Sequence, residues 1–226
     1  LLITLSVKLS IEYGNDVASL YPYVLYGNIA CNIQLDVDTG FKFGQLAVEL
    51  IDKLNAKAIK SNILGTVACF TLHRKSHIRE TLPLMQQTYT VGLEFGCLEF
   101  VGLGAQLYSL SSLLCGENLT NLEQEIEAYC KSLQQLNQLT TSNWCRIYCQ
   151  TTLNLLGSEN PSHLSGIAIK ESELLPLLIE GNDFFGLFIF YLIKIILCYL
   201  FGDFEKALYN SIEARKYAIA TTGMTV

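Results

Sequence analysis

The stretch Phe41-Lys-Phe-Gly-Gln-Leu-Ala-Val-Glu-Leu-Ile-Asp-Lys-Leu54 gives the plainest indication of the fold. Its apolar residues recur at helical spacing and so form one stripe, while its charged and amide residues fall on the opposite side. Asp38 or Thr39 is expected to cap the start by accepting a backbone N–H. The stretch therefore predicts an amphipathic α-helix with a stripe made of Phe43, Leu46, Ala47, Leu50, Ile51 and Leu54.

Helical periodicity recurs along the chain, whereas the alternation typical of a half-buried strand is scarce. A second helix is predicted over 121–136, entered through Thr120, and a third over 144–156, closed by Gly157. The whole sequence reads as about eleven helices joined by short connections, which favour antiparallel neighbours. We therefore expect an all-α fold, an irregular α-solenoid of tetratricopeptide-like helical hairpins.

The domain organisation is expected to be one helical repeat region over 1–226. The longest predicted loop covers 157–166, and any subdivision is expected there. The chain opens at Leu1 without an initiator Met, on a stretch that already reads as structured and apolar, so we expect an interior piece of a larger protein. No charged region and cleavage site precede that stretch, so a secretory signal is not expected.

Composition narrows the classes of partner and compartment. The net charge of −6 argues against nucleic acid, because a phosphate backbone requires a clustered basic surface. The eight cysteines mostly lie in apolar runs, which favours buried, reduced thiols in a cytoplasmic protein. Cys145 and Cys149 lie one helical turn apart, and they could hold a metal only with ligands from elsewhere. No metal or cofactor is predicted.

The three histidines are the first residues to consider for catalysis, because His is the usual proton carrier near neutral pH. His73 and His77 have the i, i+4 spacing of metal ligands on a predicted helix, but the glutamate of a zinc protease motif is missing. The stretch 76–83 is similar to the phosphoacceptor box of histidine kinases, with Ile78 where an acidic residue is expected. The sequence predicts no enzyme, and a histidine phosphotransfer domain that uses His77 is the alternative.

The run from Phe184 to Phe201 is apolar except for Lys194. As a helix it would reach about 27 Å, barely the hydrocarbon thickness of a bilayer. Neither flank carries the basic cluster that often marks a membrane span. A helix buried among neighbouring helices is therefore favoured, and a membrane-anchored sensor segment is the alternative.

A pattern of glycine, aromatic and small residue recurs at three predicted turns. Glycine would let the chain reverse, the aromatic would anchor the new helix, and the small residue would permit a close helix crossing. These repeat-turn positions are Gly40, Phe41 and Ala47 in the first copy, Gly96 and Phe100 in the second, and Gly202, Asp203, Phe204, Ala207 and Ala214 in the third.

The third copy resembles the second helix of a tetratricopeptide repeat, because Gly202-Asp-Phe-Glu-Lys-Ala-Leu208 is followed by Ala214. Tyr191 falls where that repeat has a bulky aromatic in its first helix, whereas Lys194 departs from its pattern. The three copies are not spaced at the 34-residue period of a regular array. The resemblance implies a degenerate tetratricopeptide-like array.

Four longer strings of the sequence carry a second resemblance. They are Gly40-Phe-Lys-Phe-Gly-Gln-Leu-Ala47, Leu82-Pro-Leu-Met-Gln-Gln-Thr-Tyr-Thr-Val-Gly-Leu-Glu-Phe-Gly96, Gln150-Thr-Thr-Leu-Asn-Leu-Leu-Gly157 and Tyr199-Leu-Phe-Gly-Asp-Phe-Glu-Lys-Ala207. These strings are similar to the helical region of very large bacterial, often cyanobacterial, multi-sensor signal transduction kinases. In that family an AAA/STAND-type ATPase precedes such a region, and GAF and histidine kinase modules follow it. The resemblance implies a non-catalytic scaffold or regulatory module whose partners are neighbouring domains or another protein.

Overall fold

The computed structural model describes residues 1–221, which fold into α-helices and short 3-10 helices. Within these residues no β-strand is formed, and the extended pairing there is one isolated antiparallel bridge between Ser165 and Lys170. The predicted all-α class of packed helix pairs is confirmed. The chain divides into two compact units, Leu1–Ser111 and a second that starts at Ser112.

The first unit contains five complete helices and most of a sixth. Within it α2 packs on α3 and α4, and α4 packs on α5. Its core includes Leu20, Tyr23, Ile51 and Ile63, each at most 2% exposed. The helices are α1 (Leu2–Tyr13), α2 (Leu20–Asn32), α3 (Val37–Lys53), α4 (Lys60–Phe70), α5 (Leu82–Phe95) and α6 (Leu98–Leu114), and the 3-10 helices are Val17–Ser19, Lys57–Ile59, Leu72–Arg74 and Ile78–Thr81.

The second unit is built from two hairpins and one shorter helix. Helix α7 packs on α8, α10 packs on α11, and α10 also packs on α8 and α9. The predicted loop at 157–166 lies inside this unit, between α8 and α9. The helices are α7 (Leu119–Gln135), α8 (Leu139–Gly157), α9 (Glu171–Glu180), α10 (Phe184–Leu200) and α11 (Phe204–Arg215), followed by a 3-10 helix at Ala218–Thr221.

Six connections use the same turn. In each of these connections, a residue with positive φ follows the end of the helix. The next residue then donates its backbone N–H to the carbonyl oxygen of the residue five positions before it, as in a Schellman motif. The turns at 96, 116 and 137 are 20 or 21 positions apart, and so are those at 182 and 202. A hairpin in these regions therefore takes about 41 positions. The positive-φ residues of these six turns are Asn55, Gly96, Gly116, Asn137, Asn182 and Gly202.

The first predicted repeat turn is wrong, because Gly40 and Phe41 lie inside α3. The positive φ belongs to Leu35, and Asp36 caps α3 by accepting the backbone N–H of Thr39. Gly40 instead faces α2, where an added Cβ would come within 2.5 Å of the Gly27 carbonyl oxygen. Gly40 therefore permits the close helix crossing that was expected of a later small residue.

The other repeat-turn residues agree with the structure except in one role. Gly96 and Gly202 have positive φ at turns, as predicted. The small residues Ala47, Ala207 and Ala214 are buried, and Phe100 is half-buried. Phe204 was expected to anchor its helix, but it is 62% exposed and its ring meets only the Tyr199 ring among the ring contacts of the described residues.

Helix boundaries and one face also differ from the predictions. Helix α7 starts two residues early and is capped by the Asn118 side chain, while α8 starts at Leu139, directly after the turn at Asn137. Leu46, predicted to lie on the buried stripe of α3, is exposed, and Gly44 lies on that stripe instead. Among residues 1–221, no helix combines the length and apolar character that crossing a membrane requires.

Candidate interaction site

The two hairpins of the second unit are copies of one plan. Helices α7 and α10 begin at Leu119 and Phe184, and α8 and α11 begin at Leu139 and Phe204, so counterparts lie 65 positions apart. The side chains of Asn118 and Asp183 cap the first helices by accepting the backbone N–H of the residue three positions on. This duplication lets each position of one hairpin be compared with its counterpart.

The duplication extends to the turn and to the buried face of the second helix. Asn137 and Gly202 occupy the left-handed position of the turn, with φ of 57° and 81°. Ser142 and Ala207 are buried one turn into the second helix, and Cys149 and Ala214 are buried two turns later. Small side chains at these counterparts let both second helices pack closely on the first.

Trp144 on α8 contacts the start of α10. Its indole Nε1 donates a hydrogen bond to Asp183 Oδ2 at 2.7 Å. Its ring meets the Phe185 ring at 4.7 Å between centroids, in an edge-on arrangement. The other oxygen of Asp183 accepts the backbone N–H of Gly186 at 2.8 Å, so one carboxylate caps α10 and fixes it to α8.

The counterpart of Trp144 on α11 is Tyr209, which is 60% exposed. Beside it on the same helix lies an apolar stripe of three residues spaced four apart, Phe204, Leu208 and Ile212, which are 57% to 64% exposed. The counterpart of Ile212 on α8 is Ile147, which is fully buried. We call this surface the α11 face, and it consists of Phe204, Leu208, Tyr209 and Ile212.

A polar cavity of about 260 Å³ adjoins the α11 face. Its walls come from the connection after α8, from α9, from α10 and from α11, so it lies wholly in the second unit. Two of its lining side chains, Lys194 and Asn210, are more than nine-tenths buried. The cavity is lined by Asn160, Ser162, His163, Glu171, Lys194, Lys206, Tyr209 and Asn210.

Buried Lys194 and half-buried Glu171 form an ion pair in the wall of this cavity. Lys194 Nζ donates to both Glu171 oxygens, at 2.9 and 3.2 Å, and to the Ser162 carbonyl at 3.0 Å. Glu171 Oε2 also accepts the backbone N–H of Leu164 and lies 3.2 Å from His163 Nδ1. These bonds compensate the cost of desolvating both charges. The residue that interrupts the apolar run therefore has a structural partner, which sequence reasoning missed.

Amide side chains of α8 hold the same connection from the other side. Gln150 Oε1 accepts the backbone N–H of Ala168 at 3.1 Å, and Gln150 Nε2 donates to Asn154 Oδ1 at 2.8 Å. Asn154 Nδ2 in turn donates to the carbonyls of Pro161 and His163. The predicted loop is thus fixed by buried polar groups, which gives the cavity a preformed wall.

The histidine pair is not on a single helix, so that prediction is wrong. His73 lies in a short 3-10 helix, whereas His77 precedes the next one and caps it by accepting the backbone N–H of Arg79 on Nδ1. The Leu72–Arg74 helix ends before His77, so the i, i+4 geometry of a helix face is lost. Burial, with the nearby Arg74, lowers the pKa of His73.

None of the eight cysteines, all of which lie within residues 1–221, forms a disulfide, and six of them are buried. Burial raises the pKa of Cys130 to about 12 and that of Cys149 to about 11. These thiols are therefore protonated at neutral pH and are not activated as nucleophiles. Over residues 1–221, no three His, Cys, Asp or Glu side chains are grouped in a way that could hold a metal ion.

The sequence was compared with known proteins in two ways. A scan against protein-family models gives no match, and a search of curated proteins gives none either.

Proposed function

We propose that this chain is a non-catalytic helical-repeat module that binds a protein segment or a neighbouring domain in a multidomain cytoplasmic signalling ATPase or kinase. The observation that carries the proposal is the difference between the two hairpins of the second unit. In the α7–α8 hairpin, Trp144 contacts the start of α10, whereas the corresponding surface of α11 is exposed. Stacked helical hairpins commonly bind partners through such surfaces.

The cavity beside the α11 face supports the same proposal. Its walls are held by the Lys194–Glu171 ion pair and by the amide bonds of Gln150 and Asn154, so binding there would require little ordering of the chain. Its lining offers ammonium, imidazole, amide, hydroxyl and phenol groups and one carboxylate, that of Glu171, which is paired with Lys194. Such a set suits a polar or acidic stretch of polypeptide better than an apolar ligand.

Site-specific photocrosslinking tests the proposal in cells that make the intact protein. A benzophenone amino acid at Asn160, on the rim of the cavity, is expected to give one discrete adduct. The matched control is Glu12, which is also exposed but lies on α1 in the first unit. Mass spectrometry of the adduct should identify either a defined partner or another region of the same polypeptide.

Two results would contradict the proposed function. One is the absence of an Asn160 adduct, or the same adducts from Glu12. The other is catalysis by the purified chain: hydrolysis of MgATP above background, or acid-labile phosphate that disappears in His77→Ala. The second result would favour the phosphotransfer alternative.

A further inference from the structure

We propose that the α11 face binds a helix of a partner polypeptide, and that this helix begins with an acidic N-cap residue followed two positions later by an aromatic residue. The inference rests on the proposed interaction function and specifies the chemistry of the partner. Its basis is the 65-position duplication, because the counterpart of the α11 face already holds a helix start of this kind.

In the first hairpin, the helix start that is bound has two recognisable groups. Asp183 supplies a carboxylate to the Trp144 indole N–H, and Phe185 supplies a ring to the Trp144 ring. Gly186, between these contacts and the rest of α10, lies where an added Cβ would meet Leu178 at 2.8 Å. The acid, the aromatic two positions later and the glycine after it form the pattern Asp-x-Phe-Gly.

Tyr209 can make both contacts that Trp144 makes. Its hydroxyl is a hydrogen-bond donor for a carboxylate, as the indole N–H is, and its ring can meet an aromatic edge in the same way. Because Tyr209 is 60% exposed at the counterpart position, a helix start can reach it without rearrangement of the hairpin.

Two ammonium groups near Tyr209 could serve an acidic cap, although each already has a carboxylate partner. Lys194 and Lys206 line the cavity that Tyr209 borders. Glu171, which pairs with Lys194, and His163 line it as well. Lys206 Nζ already contacts Asp203 at 2.6 Å, but an ammonium group carries three N–H donors and can serve a second carboxylate. The positive end of the partner's helix dipole also requires a compensating anion in that position.

The apolar stripe offers surface for the rest of the partner helix. Phe204, Leu208 and Ile212 are spaced four residues apart, so they form a ridge that fits the groove of another helix. Three large apolar side chains exposed side by side are uncommon on a surface that has no binding role. The partner should therefore present leucine or phenylalanine after its first turn.

A peptide titration tests the proposal on the full chain. The probe is a fluorescein-labelled helical peptide of about 18 residues that begins with Asn-Asp-Phe-Phe-Gly-Leu, the order found at 182–187, and continues in Ala, Glu and Lys for solubility. Fluorescence anisotropy should show saturable binding with a Kd of about 10 to 100 μM. Replacing the peptide's Asp or its second Phe with Ala should weaken binding at least about fivefold.

Protein variants locate the binding surface. Tyr209→Ala and Leu208→Glu should each weaken binding about tenfold or more, whereas Tyr209→Trp, which reproduces the first hairpin, should preserve or tighten it. The matched control is Tyr13→Ala, since Tyr13 is 76% exposed but lies on α1. Circular dichroism of each variant confirms that the helices are retained.

Three outcomes overturn the proposal. One is no saturable binding up to about 1 mM peptide, and another is binding that Tyr209→Ala does not change. The third is a dimer in light scattering that Leu208→Glu converts to monomer, which would assign the α11 face to a second copy of the chain. If crosslinking from Asn160 succeeds while the peptide fails, this inference falls and the proposed function stands.

Discussion

The α7–α8 and α10–α11 hairpins share one backbone plan but differ in what surrounds their second helices. Over the 12 positions that α11 shares with α8, six side chains of α8 are buried, among them Ile147 and Gln150, whereas three are buried on α11. The caps, the left-handed turn and the small buried residues fall at the same positions in both, although the residue types differ. The backbone plan is therefore specified by local signals, and the burial of the outer face is specified by what packs on it.

This difference indicates which positions of the second unit stabilise the fold and which are exposed for binding. On α8 the outer face contributes to the fold, because other segments of the unit cover it. On α11 the same positions carry Leu208, Tyr209 and Ile212, which the fold of the described residues leaves exposed. Substitutions at counterpart positions should consequently have unequal effects on the free energy of unfolding.

The largest effect is expected for the isoleucines that lie 65 positions apart. Ile147→Ala should lower the free energy of unfolding by about 2 to 5 kcal/mol, because it leaves a cavity in a fully buried site. Ile212→Ala should change it by less than about 0.5 kcal/mol, because that side chain is mostly exposed. Denaturant unfolding followed by the fluorescence of Trp144, the single tryptophan, reports on the second unit.

Equal losses for the two isoleucine variants would mean that α11 is covered as α8 is. That result would remove the comparison on which the binding proposal depends.

Sequence periodicity was enough to predict the fold class, but it placed several helix ends wrongly. The buried positions Ala47, Leu50 and Ile51 follow from 3.6-residue spacing, and that spacing does not depend on tertiary contacts. The start of α8 was missed because Asn137 adopts the left-handed conformation that the sequence reasoning sought only at glycine. Leu35, at φ of 60°, carries no turn signal at all.

The candidate site was less predictable than the fold. Lys194 could be noticed because it interrupts an apolar run, but its partner Glu171 lies 23 positions away on another helix. That pairing depends on how α9 and the connection after α8 fold back onto α10. Trp144 and Asp183 meet for the same reason across 39 positions. The periodicity of a single sequence does not show which residues come into contact when they lie so far apart in the chain.

An intermediate effect is expected for the two N-caps. Asn118→Ala removes a cap bond and should cost about 1 kcal/mol. Asp183→Ala removes the cap bond and also leaves the Trp144 indole N–H without its acceptor, so it should cost about 2 to 3 kcal/mol. Asp183→Asn can keep the cap bond through its one amide oxygen but places an NH2 donor against the indole N–H, so it separates the loss of the Trp144 bond from the loss of the cap. Thermal unfolding followed by circular dichroism measures all three.

If Asp183→Ala cost no more than Asn118→Ala, the bond to Trp144 would contribute nothing beyond capping. An acidic cap would then be unnecessary in a partner that binds Tyr209, and the peptide pattern would reduce to its aromatic residue.

The smallest effect concerns the turn that the two hairpins fill differently. Gly202 has φ of 81° and open space where a Cβ would lie, so Gly202→Ala should cost about 1 kcal/mol through backbone strain alone. Gly202→Asn installs the residue that the first hairpin uses at Asn137, and it should cost about half as much, because Asn tolerates this conformation better than Ala. Denaturant midpoints at a fixed slope resolve this order. The reverse order, with Ala tolerated better than Asn, would mean that contacts of the side chain rather than φ determine which residue the turn accepts.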